Sequence, residues 1–129
     1  MHLDLHCHAV EDLERIWQEQ PAAAAAVVAA LEQMQADPGL IDKLTRHGEN
    51  EFAAARINVK RWQRVRPRKG DLWRFRVLDT PATSYRVVYG YHYQTRQVCV
   101  LAVVHRREFD YDDLASDLAR RILADWAAL

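Results

Sequence analysis

The spacing of apolar and polar residues predicts one short strand followed by two helices. Residues 2–8 alternate between the two types, which is the period of a strand. In residues 10–17 the apolar positions recur at helical spacing, and Pro21 forces a break. An alanine-rich second helix is expected over 22–36, so the two helices should pack as an antiparallel hairpin, with one further turn over 40–44.

The second half of the chain changes to strand patterns rich in Val and Tyr. Three regular candidates and one weaker candidate follow: 73–78, 85–93 and 98–105, with 57–64 the weaker one. The run 98–104 is apolar at every position, which predicts a central strand covered on both faces. Apolar residues every four positions in 114–126 predict a C-terminal helix.

The predicted order is therefore β-α-α-β-β-β-α, an α+β domain in which an antiparallel sheet packs against the helical hairpin, with a C-terminal helix. A chain of 129 residues fits one domain, 1–129. No apolar run approaches the ~20 residues that cross a bilayer, and the N-terminus lacks a cationic signal, so a cytoplasmic protein is expected. Cys7 and Cys99 are expected to remain free thiols.

The net charge of zero conceals a strong segregation of charge along the chain. Residues 1–55 carry three basic and ten acidic residues, a net charge of −7. Residues 56–107 carry thirteen basic and two acidic residues, +11, and residues 108–129 carry two and six, −4. A basic block between acidic ones can present a positive face to a phosphate backbone.

The N-terminal His6-Cys7-His8 segment resembles, locally, the metal-binding first strand of amidohydrolase-type enzymes. That fold is a barrel of roughly 250 residues with further ligands at later strand ends. His47, His92 and His105 fall in no such pattern. The expectation is therefore that no metal is bound and that the histidines lie on a solvated strand face.

Arginine dominates lysine in the basic block, and aromatic residues are interleaved with it. A guanidinium binds phosphate bidentately and stacks on bases, so this composition favours a surface for RNA. The expected nucleic-acid-binding residues are Lys60, Arg61, Arg64, Arg74 and Arg106, within a block that also contains Arg66, Arg68 and Lys69. The alternative, that these are outward residues covered by an acidic partner, predicts the same charge distribution.

Three segments in order resemble toxins of the RelE/ParE superfamily: Trp73-Arg74-Phe75-Arg76-Val77, Ser84-Tyr85-Arg86-Val87-Val88-Tyr89, and 103–111, Val-Val-His-Arg-Arg-Glu-Phe-Asp-Tyr. The resemblance implies a RelE-like fold and a ribosome-dependent endoribonuclease that cuts mRNA without metal or cofactor. In that reaction the ribose 2′-hydroxyl attacks the adjacent phosphate and the 5′ oxygen leaves.

The resemblance also implies roles for four residues. Arg76 falls where the family has a basic residue near the attacking oxygen, Arg86 where an arginine clamps the phosphate, and Arg107 where another faces the leaving group. Tyr111 would stack on a base or orient the 2′-hydroxyl, although it lies two residues closer to the preceding arginine than is usual. Because arginine is a poor proton acceptor, His105 or His92 is a more natural general base.

The expected partners are a cognate antitoxin protein, and the ribosome with its mRNA; operator DNA is contacted only through the antitoxin, and no membrane is expected. Two alternatives remain open. One is a non-enzymatic inhibitor of DNA gyrase like the ParE branch, and the other is a catalytically degenerate module that only binds its antitoxin.

Overall fold

In a computed structural model that describes residues 2–52, 55–65 and 70–129, the chain forms an α+β domain. The strands are β1 His2–Leu5, β2 Gly48–Phe52, β3 Ala55–Arg61, β4 Gly70–Leu78, β5 Tyr85–His92 and β6 Gln97–His105. The helices are α1 Cys7–Glu19, α2 Pro21–Ala36, α3 Pro38–Ile41 and α4 Asp117–Ala127, with a 3-10 turn at Asp42–Thr45. None of the helices in these ranges has the length and apolarity to span a membrane.

The strands form one sheet in the order β1-β6-β5-β4-β3-β2. Every neighbouring pair is antiparallel except β1 and β6, which are parallel. The expectation of a wholly antiparallel sheet with three strands after the hairpin was therefore wrong on both counts. A parallel pair requires a long connection, which the helices and intervening strands supply, and β2 has the polar sequence Gly-Glu-Asn-Glu-Phe, which carries no apolar alternation.

The first strand is shorter than predicted because the chain turns into a helix at His6. The His6 Nδ1 atom accepts a hydrogen bond from the His8 backbone N–H at 3.1 Å, which caps the N-terminus of α1. The backbone of His6 is still extended, and the polar–apolar alternation of the sequence continues past it into α1. The pattern therefore does not mark where the strand ends and the helix begins. The prediction that His6 and His8 lie on a strand face was therefore wrong.

Helical layers cover both faces of β6, as predicted for its apolar run. Val100 and Val103 belong to the core under α1 and α2. Leu101 and Val104 belong to a second core under α4. On the neighbouring β5, Val87 and Tyr89 belong to the first core and Val88 to the second, so the two cores lie on opposite faces of the sheet.

The C-terminal helix begins at Asp117, later than predicted. The Ser116 Oγ accepts a hydrogen bond from the Ala119 N–H at 3.1 Å and caps it. Leu114 lies before the helix and is exposed. Near the other end of α4, the Trp126 ring packs directly on Gly90, where an added Cβ would lie 2.4 Å from the ring.

Candidate nucleic-acid interface

The strand arginines project from the sheet face that carries α4. Leu72 of β4 and Val88 of β5 belong to the core under α4, and side chains two residues apart on a strand share a face. Arg74 pairs across strands with Lys60 on β3 and with Val88 on β5. All three side chains therefore extend to the same side.

Arg76 and Arg86 continue this face away from α4. Phe75 pairs with Val87, and both belong to the core under α1 and α2. The adjacent residues Arg76 and Arg86 therefore point to the opposite face, which carries α4, and continue the ladder as neighbours across the two strands. Both side chains are half-buried. Like charges directly opposite each other are unfavourable in a sheet, which makes this pair a place where an anion would stabilise the protein.

The guanidinium of Arg86 is held in place by backbone carbonyls. Its Nη1 donates to the carbonyl oxygens of Thr83 at 2.9 Å and Tyr85 at 3.2 Å. These neutral acceptors orient the group while leaving its charge uncompensated. The side chain is thus positioned before any ligand arrives.

Three further arginines lie close enough to Arg86 to act on its charge. We name Arg74, Arg76, Arg86 and Arg106 the arginine cluster. The pKa of Arg86 is lowered, first by burial and next by the positive charge of Arg76; Arg74 and Arg106 act in the same direction, and Tyr111 opposes them. The cluster is therefore a concentrated, partly desolvated positive charge.

Tyr111 lies beside this cluster with its ring fixed by aromatic neighbours. The ring makes edge contacts with Trp62, at 5.6 Å between centroids, and with Phe109, at 4.6 Å. The Trp62 Nε1–H donates to the Tyr111 carbonyl oxygen at 2.8 Å. The loop after β6 is thereby tied to the end of β3.

One face of the Tyr111 ring carries a cation. The Arg74 guanidinium lies 3.7 Å from the ring centroid. Burial raises the pKa of the Tyr111 hydroxyl to about 12, although the charges of Arg74 and Arg86 act to lower it. At neutral pH this hydroxyl is protonated, so it can donate a hydrogen bond and is a poor base.

An open groove of about 1150 Å³ runs past these residues. Its walls include all five expected nucleic-acid-binding residues and two of the expected catalytic ones: Lys60, Arg61, Arg64, Arg74 and Arg106, with Arg107 and Tyr111. Carboxylates also line it: Glu108, Asp110, Asp112 and Asp113. The groove is therefore of mixed charge, and the densest positive charge lies beside it on the sheet.

The remaining basic residues of the block are less well placed. Arg64 lies 3.8 Å from Asp112, and both side chains are largely exposed, so this ion pair is weak. Arg66, Arg68 and Lys69 lie outside the described residues.

Neither histidine expected to act as a base lies with the arginine cluster. His92 is six residues from Arg86 on β5, about 20 Å at ~3.3 Å per residue. Its Nδ1 accepts the backbone N–H groups of Gln94 and Thr95 in the turn after β5. His105 pairs with Tyr85, whose side chain belongs to the core on the opposite face.

His105 has a structural contact to Arg107 in place of a contact to the cluster. Its Nδ1 accepts the Arg107 backbone N–H at 3.1 Å, and its ring makes an edge contact with Tyr85 at 5.1 Å. Arg107 itself is exposed on the groove wall. The structure thus places Arg76, Arg86 and Tyr111 together, Arg107 nearby on the groove, and both histidines elsewhere.

Two residues that position Tyr111 had no assigned role in the sequence-based prediction. Trp62 and Phe109 are buried and contact each other edge to face at 5.3 Å. Phe109 lies within the segment 103–111 that carries the resemblance, but its spacing alone does not indicate a partner 47 residues earlier in the sequence. Only the fold brings the two together.

No protein-family model matches the chain, and no curated protein matches it. Among solved structures, the chain is similar to one described as the crystal structure of the archaeal RelE-RelB complex from Pyrococcus horikoshii OT3. The identity is 15%, the TM-score is 0.47, and the match covers 81% of this chain and 93% of that chain. A likeness of this size carries no inference about this protein.

Proposed function

We propose that this protein is the toxin of a toxin–antitoxin pair and that its arginine cluster holds RNA for cleavage on the ribosome. The observation that carries the proposal is Arg86, whose guanidinium is oriented by two carbonyls and is surrounded by the charges of three other arginines. Such a site favours a phosphate and, above all, the additional negative charge of a phosphorane.

Each neighbouring residue has a role in this proposal. Arg76 and Arg86 hold the phosphate from two adjacent strands, and Tyr111 offers an aromatic surface next to them. Exposed Arg107 contacts the RNA beyond the cut and supports the leaving 5′ oxygen. Stacking of a base on a fixed aromatic ring contributes about 1–3 kcal/mol in comparable sites.

The proposed reaction forms a bond between the 2′ oxygen and phosphorus and breaks the bond to the 5′ oxygen. The described groups whose charges act on Arg86 are arginines and Tyr111, none of which is a base at neutral pH. We therefore assign the acceleration to stabilisation of the phosphorane. Hydroxide from the solvent takes the 2′ proton, and water protonates the leaving 5′ oxygen. Cleavage that is accelerated by charge stabilisation alone is expected to be slower than cleavage with a positioned base, since such a base raises the rate by ~10²–10⁴-fold.

His92 lies far along β5 from Arg86, and His105 lies on the opposite face of the sheet from the arginine cluster. This placement also favours a second candidate, a module that binds its partner and no longer cuts. The partner we propose is an antitoxin with an acidic segment, because the same cluster that attracts phosphate attracts carboxylates. Operator DNA would then be contacted through the antitoxin. Both candidates place the ligand on the same residues.

Induced expression in a bacterial host distinguishes these candidates. The toxin proposal expects growth arrest, cleaved mRNA, loss of both in Arg86→Ala, and retention in Arg120→Ala, an exposed arginine on α4. Arrest with intact mRNA and stabilised gyrase cleavage complexes would replace it with gyrase inhibition. Growth without arrest, together with tight binding of an acidic antitoxin, would favour the binding module.

A further inference from the structure

Two histidines from the start of the chain and one carboxylate from its end meet at one point. His6 and His8 lie at the N-terminus of α1, and Asp125 lies in the last turns of α4. One nitrogen or oxygen from each residue lies within 4.8 Å of the other two. The three side chains are part-buried, with Asp125 only 12% exposed. Local sequence spacing brings His6 and His8 together but cannot indicate Asp125, because 117 positions separate it from His8.

We infer that His6, His8 and Asp125 form a binding site for a divalent transition-metal ion of the zinc type. Imidazole nitrogen and carboxylate oxygen are ligands that Zn²⁺ uses together. Mg²⁺ and Ca²⁺ prefer oxygen ligands throughout, so two imidazoles select against them. Three protein ligands leave a fourth position for water or an external ligand.

The separations between donor atoms are near those that a metal requires. In a tetrahedral site with bonds of ~2.0–2.1 Å, neighbouring ligand atoms stand roughly 3.4 Å apart. The Asp125 Oδ2 lies 3.6 Å from the His6 Nδ1 and 2.6 Å from the His8 Nδ1. The second contact is a hydrogen bond, which a metal would replace while the two atoms move apart by less than 1 Å.

Two features of the surroundings act against a metal ion. The His6 Nδ1 also accepts the His8 N–H, so ligation through that atom gives up the cap of α1 unless the ring turns to present Nε2. The second feature is the positive charge of Arg121, which Asp125 stabilises. The affinity for Zn²⁺ is set by the balance between these two costs and the three bonds from the ligands to the metal.

A cavity of about 350 Å³ adjoins the cluster at His6. Its walls include His6, His92 and Cys99. Exposed Cys7, whose Sγ lies 3.7 Å from the His6 Nδ1, is the nearest group that could supply a fourth ligand.

The test is calorimetric titration of the metal-free full-length chain with Zn²⁺, with thermal unfolding followed in parallel. The variants are His8→Gln and Asp125→Asn. His2→Gln is the matched control, because His2 forms an exposed pair with Asp4 at 2.9 Å outside the cluster. Circular dichroism of each metal-free variant establishes that it is folded, and His8→Gln alone decides the question if Asp125→Asn is not.

We expect one Zn²⁺ per chain, a rise in Tm on its addition, and affinity at least ~10-fold weaker in either cluster variant, since even outer-shell changes weaken metal sites by that factor. The control should bind as the unmodified chain does. In the Co²⁺ form, an absorption band from thiolate ligation that the unmodified chain shows and Cys7→Ser lacks would assign Cys7 as the fourth ligand and support the site. No Zn²⁺ binding by the unmodified chain, or equal binding by folded His8→Gln, would overturn the inference.

Discussion

The Asp12 carboxylate accepts two hydrogen bonds from the Arg121 guanidinium, at 3.0 and 2.7 Å, and joins α1 to α4 around the edge of the sheet. Strand β1 pairs with β6 only as far as Val100. Beyond that point the Val103 N–H donates to Asp12 at 3.0 Å, and the Leu101 carbonyl lies 3.4 Å from the Arg121 Nη2. The Asp12–Arg121 ion pair thus forms hydrogen bonds with backbone groups of β6 that the short β1 does not reach.

Replacing Asp12 with Ala should strongly destabilise the fold. The Asp12 side chain is almost fully buried, so its loss leaves the Val103 N–H without its acceptor and the part-buried Arg121 guanidinium without its carboxylate. Removal of one partner of a buried pair costs about 3–5 kcal/mol in free energy of unfolding. Urea denaturation measures it, with exposed Glu14→Ala on the same helix as the control. Equal midpoints for the two variants would contradict this role.

Replacing Gly90 with Ala should displace α4. The added Cβ would meet the six-membered ring of Trp126 at 2.4 Å, and overpacking of this kind costs about 1–3 kcal/mol. A smaller partner should relieve the clash, so Gly90→Ala combined with Trp126→Leu should be more stable than the sum of the single changes predicts. Additive losses in thermal unfolding would show that the two residues do not contact each other as described.

Tyr111 should contribute to RNA binding through its ring more than through its hydroxyl. Tyr111→Phe keeps the ring between Trp62 and Phe109, so RNA affinity should change little. Tyr111→Ala removes the stacking surface, and the affinity should fall about 10-fold, within the range of one base–aromatic contact. Fluorescence anisotropy with a single-stranded RNA measures both, and equal losses for the two variants would assign the effect to the hydroxyl.

The pH dependence of RNA cleavage should show no histidine step. With no base of pKa near ~6.5 in the arginine cluster, and with the pKa of Tyr111 raised to about 12, the rate should keep rising with pH between 6 and 9 as hydroxide becomes available. A histidine base would instead give a rise that levels off above its pKa. A plateau near pH 7 that disappears in His105→Ala would return that residue to the mechanism.

The sequence predicted the parts of the fold that rest on local pattern. The apolar run 98–104 identified the buried strand, and Pro21 marked the break between the first two helices, which pack against each other as expected. The parallel pairing of β1 with β6 could not be predicted, since it joins segments about 95 positions apart. Strand β2 forms through pairing with β3, although its own sequence is polar.

The candidate site shows the same division. The structure places Arg74, Arg76 and Arg86 on one face of the sheet, which follows from alternation along β4 and β5. His92 was suggested as a base because it shares strand parity with Arg86, but parity gives no distance along the strand. The stacking of Arg74 on Tyr111 depends on a loop held by Trp62, which no local pattern specifies.

The salt dependence of single-stranded RNA binding tests the central claim most directly. If Arg86 holds a phosphate, Arg86→Ala should weaken binding and reduce the slope of log affinity against log salt by about 1, while Arg120→Ala leaves both unchanged. Circular dichroism should find both variants folded. Folded Arg86→Ala with the affinity and slope of the unmodified protein would contradict the assignment of the arginine cluster as the RNA-binding site.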